Sequence, residues 1–241
     1  MLRKRGKNEI KKQSIILCNP VFRVVTSWLW FIVGGVLVTL IILAGYGLNF
    51  AEVIELLGER RYLAVYIEIV SVGLLPLVLT LICRDNLMMY GLGLKGLRGS
   101  VSLSRLFVVV LFYIALLARG QLMSGLSPSP HLNFPWNIWY VIPGVFAWGP
   151  LEVFFFFWLV ANTDRIFKSV DKIVSWGLIL TVVIFSLAHI LTTDIFNALY
   201  TGALFLILGL IYKYTKNSIG PIIAWTLVNG QVWFMVGMLW S

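Results

Sequence analysis

Charge is scarce in this 241-residue chain. Asp, Glu, Lys and Arg together make up 12% of it, against about a quarter in a soluble domain. That shortage excludes a solvated globular surface over this length. Cysteine is rarer still, and Cys18 and Cys83 lie too far apart for a metal-site spacing. Both fall on the reducing side of the membrane in the topology derived below, where a structural disulfide is not expected. No nucleotide-binding loop, internal repeat, low-complexity tract or soluble domain is found, and without paired inverted repeats a transporter is the less favoured class. No small-residue cleavage site follows the first apolar run. That run is too long for the hydrophobic region of a signal peptide, so it is expected to stay as an anchor.

What fills the chain instead is hydrocarbon. Hydrophobic residues account for 60% of it, with a mean hydropathy of +0.93. Seven apolar runs approach the length a helix needs to cross a bilayer, at roughly 28–50, 62–83, 105–122, 137–161, 175–193, 195–212 and 218–240. The expected fold class is an all-α polytopic membrane protein with about seven transmembrane helices in one bundle. Residues 1–27 read as a basic cytoplasmic lead-in and 28–241 as the transmembrane helical domain. The fourth run is interrupted by Pro143-Gly144 and Gly149-Pro150, which predicts a kink.

The net charge of +9 would suit a nucleic-acid partner, but its distribution does not. With the N-terminus cytoplasmic, 16 of the 19 basic residues fall on inside segments, leaving Arg60, Arg61 and Arg119 outside. This alternation follows the positive-inside rule. It places the N-terminus in the cytoplasm, the C-terminus outside, and the basic lead-in against anionic lipid head groups. Membrane lipid is therefore the expected partner, and nucleic acid is not.

Ionisable residues inside the apolar runs need a reason, because intramembrane charge is expensive and functional by default. They are Glu68, Arg119, Glu152 and His189. Glu152 stands in "WGPLEVFFFFWLVANTDR", among phenylalanines and tryptophans. Counted at about 1.5 Å per residue, Glu152, Asn229 and His189 lie at depths of roughly 14, 17 and 22 Å. Three spans thus bring them to one layer near mid-membrane, the candidate site. Each also has a plainer reading: a protonated buried glutamic acid, a packing histidine, and a helix–helix hydrogen bond from the asparagine. Glu68 and Arg119 are expected to form a structural ion pair. Asp194 is expected to cap a helix, and His131 to be solvated.

The segment "FSLAH" (Phe185 to His189) resembles the Phe-x-x-x-His motif of the CAAX protease and bacteriocin-processing enzymes, a family of intramembrane proteases. "NALYTGALFLILGLIYKYTKNSIGPIIAWTLVNG" (Asn197 to Gly230) is similar to that family's next span, basic turn and final motif helix. The kinked span with Glu152 precedes both, as the family's Glu-Glu-x-x-x-Arg helix does. The resemblance covers roughly residues 137–230. It implies that Glu152 activates a water as general base, that His189 polarises the water or the scissile carbonyl, and that Asn229 donates to the oxyanion. The substrate class it implies is a membrane-associated peptide or protein, prenylated C-termini included.

The chain departs from the pattern at three points. Glu152 is flanked by Leu151 and Val153 rather than a second glutamate, Phe156 or Phe157 replaces the arginine, and Trp225 stands where His-x-x-x-Asn has its histidine. A catalytic zinc takes about three protein ligands, and Glu152, His189 and an amide make a poor set, so the cofactor is left unknown. Three functions remain open. They are an intramembrane endopeptidase, a catalytically inactive relative that binds a membrane peptide or lipid in the same cavity, and a transporter. Convergence of Glu152, His189 and Asn229 is the geometric expectation, with Trp225 narrowing the cavity.

Overall fold

The architecture comes from a computed structural model, which describes residues 16–59, 62–118, 142–190 and 195–229. All regular structure among these residues is helical. Helix α1 spans Pro20–Tyr46, α2 Phe50–Glu59 and α3 Tyr62–Glu68. A π turn over Ile69–Leu74 leads into α4, Leu75–Ile82. A 3-10 turn, Leu87–Tyr90, precedes α5, Leu97–Ala118. A second π turn, Ala147–Leu151, opens α6, Glu152–Ile166, and α7 (Trp176–Ile190), α8 (Ile195–Thr215) and α9 (Ile219–Val228) follow.

Among the described residues, five stretches are long and apolar enough to span a bilayer: Pro20–Tyr46, Leu63–Ile82, Leu97–Ile114, Ile142–Ile166 and Ile195–Thr215. Two shorter apolar helices, Trp176–Ile190 and Ile219–Val228, occupy the places of the fifth and seventh runs. The chain is an integral membrane protein built as a helical bundle. Its helices expose Leu29, Ile32, Val36 and Leu40 of α1 and Val109 and Val110 of α5, as a bilayer solvent requires.

Helix α1 starts at Pro20 rather than near residue 28. Asn19 caps it, its side-chain oxygen accepting from the Val21 N–H at 2.9 Å, and Pro20 at the first position has no N–H to leave unpaired. Gly47, at a φ of 65°, ends it in the left-handed conformation that glycine adopts most readily. The turn into α2 is a reciprocal cap: Asn49 Oδ1 accepts from the Glu52 N–H, and Glu52 Oε2 from the Asn49 N–H.

Helix α6 is the axis of the bundle. Every residue from Val153 to Val160 is buried, most of them completely. A helix apolar on all sides must be wrapped by others, and α6 is. Phe155 meets Trp28 of α1 at 5.7 Å between ring centroids, and Phe154 meets Tyr90 at 5.7 Å. Phe156 packs on Phe185 of α7 and Phe205 of α8, and Phe157 on Tyr212 of α8. The aromatic run around Glu152 is therefore the core of the fold as well as the wall of the site.

Two buried polar clusters tie the helices together at the end of the bundle where α1 and α8 meet the loops. Arg23, 1% exposed, donates to both carboxylate oxygens of Asp85 at 2.8 and 3.0 Å, and to Tyr90 Oη. Asp164 of α6 pairs with Lys213 of α8 and also accepts from Ser169 Oγ and the Gly177 N–H. Beside the first cluster, Cys18 and Cys83 form a disulfide, with Cα atoms 5.7 Å apart. This corrects the expectation that the two cysteines stay reduced. That expectation rested on compartment, whereas the fold sets the start of α1 against the end of α4 and brings the sulfurs into bonding geometry.

Candidate active site at two packed π turns

The two π turns place the glutamates. Pro150 lies inside the second turn and has no N–H for the helical ladder, so the α pattern breaks there. Glu152 follows as the first residue of α6 and is 5% exposed. Glu68 is the last residue of α3, immediately before the first turn. The irregular backbone is supported from outside. Trp30 of α1 donates its indole N–H to the Val70 carbonyl at 2.8 Å, and Asn229 donates to the Trp148 carbonyl at 2.9 Å. Such carbonyls need partners in a medium without water.

Glycine lets the turns approach their neighbours. A Cβ on Gly73 would run into the Leu151 side chain, which joins the first turn to the second. A Cβ on Gly149 would run into Thr226, which seats α9 against the second turn. The kink expected at Gly149-Pro150 is thus a π turn shaped for close contact on two sides.

Helix α9 supplies the donors. Trp225 Nε1 donates to Glu152 Oε2 at 2.6 Å, and Asn229 Nδ2 reaches the same oxygen at 3.4 Å. The two residues are four apart and share a helix face, with Asn229 ending α9 in an extended conformation. Glu152 Oε1 makes no hydrogen bond with a described residue. Glu68 is half-buried and stands beside the turn that packs on Leu151, the neighbour of Glu152.

His189 lies in the last turn of α7, where its Nδ1 meets the Phe185 carbonyl at 2.9 Å. A carbonyl only accepts, so Nδ1 carries a proton. The ring stacks on Phe185 at 4.9 Å. Phe185 packs on Phe205 at 4.6 Å, and Phe205 on Trp225 at 4.5 Å. The structure thus brings Glu152 and Asn229 into hydrogen-bond range and joins His189 to them through three aromatic rings. Arg119, His131 and Asp194 lie outside the described residues, and so does the expected Glu68–Arg119 pair.

No three His, Cys, Asp or Glu side chains converge among the described residues. One buried carboxylate with indole and amide donors is a poor set for zinc. The donors are built to hold a carboxylate.

The comparisons with known proteins fall on this same part of the chain. Residues 133–231 match a protein-family model described as type II CAAX prenyl endopeptidase Rce1-like. This part of the chain is similar to that family. The match takes in the second π turn and helices α6 to α9, and with them Glu152, His189, Trp225 and Asn229. Glu68 and the first π turn fall outside it. No curated protein and no solved structure matches the chain.

Two features of the site were not read from the sequence. The packing of the turn after Glu68 against the one before Glu152 was not expected, and Trp225 was expected to narrow a cavity rather than to hydrogen-bond Glu152. The tryptophan had a signal in its spacing, four residues before Asn229 on the same helix face. The packed turns had none, since their contact crosses more than seventy residues of sequence.

Proposed function

We propose that this chain is an intramembrane endopeptidase that hydrolyses a membrane-associated peptide or prenylated protein, with Glu152 as general base. The observation that carries the reading is the arrangement around that carboxylate. Both α9 donors converge on Oε2 and hold the group in place, while Oε1 is left to take a proton from a water. Hydroxide oxygen then bonds to the scissile carbonyl carbon, and the carbon–nitrogen bond breaks as Glu152 gives the proton it took to the leaving amine. In this reading Asn229 turns an N–H to the developing oxyanion, and His189 polarises the water or the carbonyl. The similarity of residues 133–231 to a CAAX prenyl endopeptidase family supports the substrate class. The basic segments support a cytoplasmic N-terminus and an outside C-terminus.

One observation favours a second reading, a relative that binds a membrane peptide or lipid without cutting it. Trp225 fills the position where the family's last motif has histidine, and its indole already occupies Glu152 Oε2. The two readings separate in membranes from cells expressing wild type, Glu152→Gln or Trp225→His, compared by mapping new peptide termini. The endopeptidase reading expects termini made by wild type, lost in Glu152→Gln by about a hundredfold or more, and retained or increased in Trp225→His. Termini identical in wild type and Glu152→Gln, with both proteins folded, would leave binding as the function.

A further inference from the structure

Basic side chains gather where α6 and α8 run into their loops, and only one of them is neutralised. Lys213 of α8 is buried and pairs with Asp164 of α6. Its Nζ also donates to the Val170 carbonyl at 2.8 Å, and Lys216 Nζ donates to that same oxygen at 3.2 Å. Two bonds ending on one oxygen bring the two ammonium groups side by side. Arg165 of α6 has a thioether for a partner, Met89 Sδ at 3.1 Å, and such a sulfur is a weak acceptor. Neither Arg165 nor Lys216 forms an ion pair with a described residue.

These side chains line one cavity of about 190 Å³, with Met88, Ala161 and Val170 as apolar wall. A water needs about 10–15 Å³ of such space, so the cavity admits a group as large as a phosphate ester. Three cations face one carboxylate in it, and Lys213 already takes that carboxylate. Asp171, also in this loop, is exposed and does not line the cavity. The charge left over is met by a carbonyl and a sulfur, neither of which is an anion. The backbone sets Lys216 apart as well. It follows α8 at a φ of 56°, in the left-handed region that glycine adopts most readily at a helix end.

Guanidinium and ammonium together suit a phosphate, which arginine takes through two N–H donors and lysine as a point charge. The surroundings favour a phosphate carried on a lipid over a free one. Met88 and Val170 are exposed as well as lining the cavity, and Phe167, Trp176 and Tyr214 are exposed nearby in the chain. Exposed aromatic and aliphatic side chains beside cations are the pattern of the membrane interface, where head-group phosphates lie.

We propose that this cavity binds the head-group phosphate of an anionic lipid, with Arg165 and Lys216 as its ligands. The Lys213–Asp164 pair joins α8 to α6 and so fixes the spacing of the two. At the helical rise, about 18 Å of α6 separates Glu152 from Asp164, so the site is distinct from the candidate active site. Binding is measured without cleavage, and the proposal stands or falls independently of the endopeptidase reading.

Native mass spectrometry of the purified full chain in mild detergent reads the occupancy, with phosphatidylglycerol, phosphatidylcholine or inorganic phosphate added. We expect one phosphatidylglycerol retained per chain under conditions that strip phosphatidylcholine, which has no net charge. Arg165→Gln and Lys216→Gly should each lower the affinity for phosphatidylglycerol about fivefold. Lys216→Gly also relieves the left-handed backbone, so its unfolding midpoint should be no lower than that of wild type, and its binding loss is then no loss of fold. Lys172→Ala removes an exposed cation of the same loop outside the lining, and should bind as wild type does. Equal retention of the two lipids, or wild-type affinity in both Arg165→Gln and Lys216→Gly, would overturn the site. A loss in Lys172→Ala as large as theirs would also overturn it, since the attraction would then belong to a diffuse basic surface. If inorganic phosphate displaces the lipid, the phosphate site stands and its lipid source is overturned.

Discussion

Removing Asp85 should be among the most damaging single changes in this protein. Arg23 is 1% exposed, and its guanidinium is held by both oxygens of Asp85 at 2.8 and 3.0 Å. Tyr90 Oη at 3.2 Å, Asn162 Oδ1 at 3.4 Å and the Trp158 ring at 5.7 Å complete its surroundings. Burial first, and then the hydrogen bond to Asp85, push the Tyr90 phenol up to about 12, so it stays a neutral donor to that carboxylate. Asp85→Ala would leave the guanidinium buried with a phenol, an amide and a ring, none of which carries a negative charge.

Breaking a buried pair from one side costs about 3–5 kcal/mol, whereas replacing both partners with apolar residues is often close to neutral. Equilibrium unfolding by SDS in mixed micelles reads both quantities. Asp85→Ala should lose about 3–5 kcal/mol, and Arg23→Leu combined with Asp85→Leu clearly less. The reasoning is refuted if Asp85→Ala falls within about 1 kcal/mol of wild type, or if the double variant loses the sum of the single ones.

The same junction carries the Cys18–Cys83 bond, which closes a loop with a sequence separation of 65. Chain-entropy arguments put its contribution at up to about 4 kcal/mol; reductant should lower the unfolding midpoint of wild type to that of Cys83→Ser, and two alkylatable thiols in untreated protein would show the bond absent. Gly73→Ala should cost about 1–3 kcal/mol, because its methyl strikes Leu151, and Leu151→Ala should restore part of it. Purely additive losses in that pair would mean the π turns do not meet there.

The span count and the helical class were legible because a bilayer imposes them locally. About 20 apolar residues in a row can be nothing else, and among the described residues five of the seven expected runs hold long helices and two hold shorter ones. The order of Glu152, His189 and the α9 helix was legible too, since motif spacing is a property of the chain. Sequence also located the break at Gly149-Pro150, because proline lacks the N–H that a helix ladder needs.

What only the tertiary structure decided are the pairings between distant segments. Nothing local marks the turn after Glu68 as a neighbour of the one before Glu152, or Arg23 as the partner of Asp85, or Cys18 as bonded to Cys83. Each depends on which helix face meets which, and that is set by packing around α6 rather than by any one segment's composition. A buried charge declares in the sequence that it needs a partner, because an unpartnered one costs too much. Which group answers is a matter of distance, and distance exists only once the chain has folded.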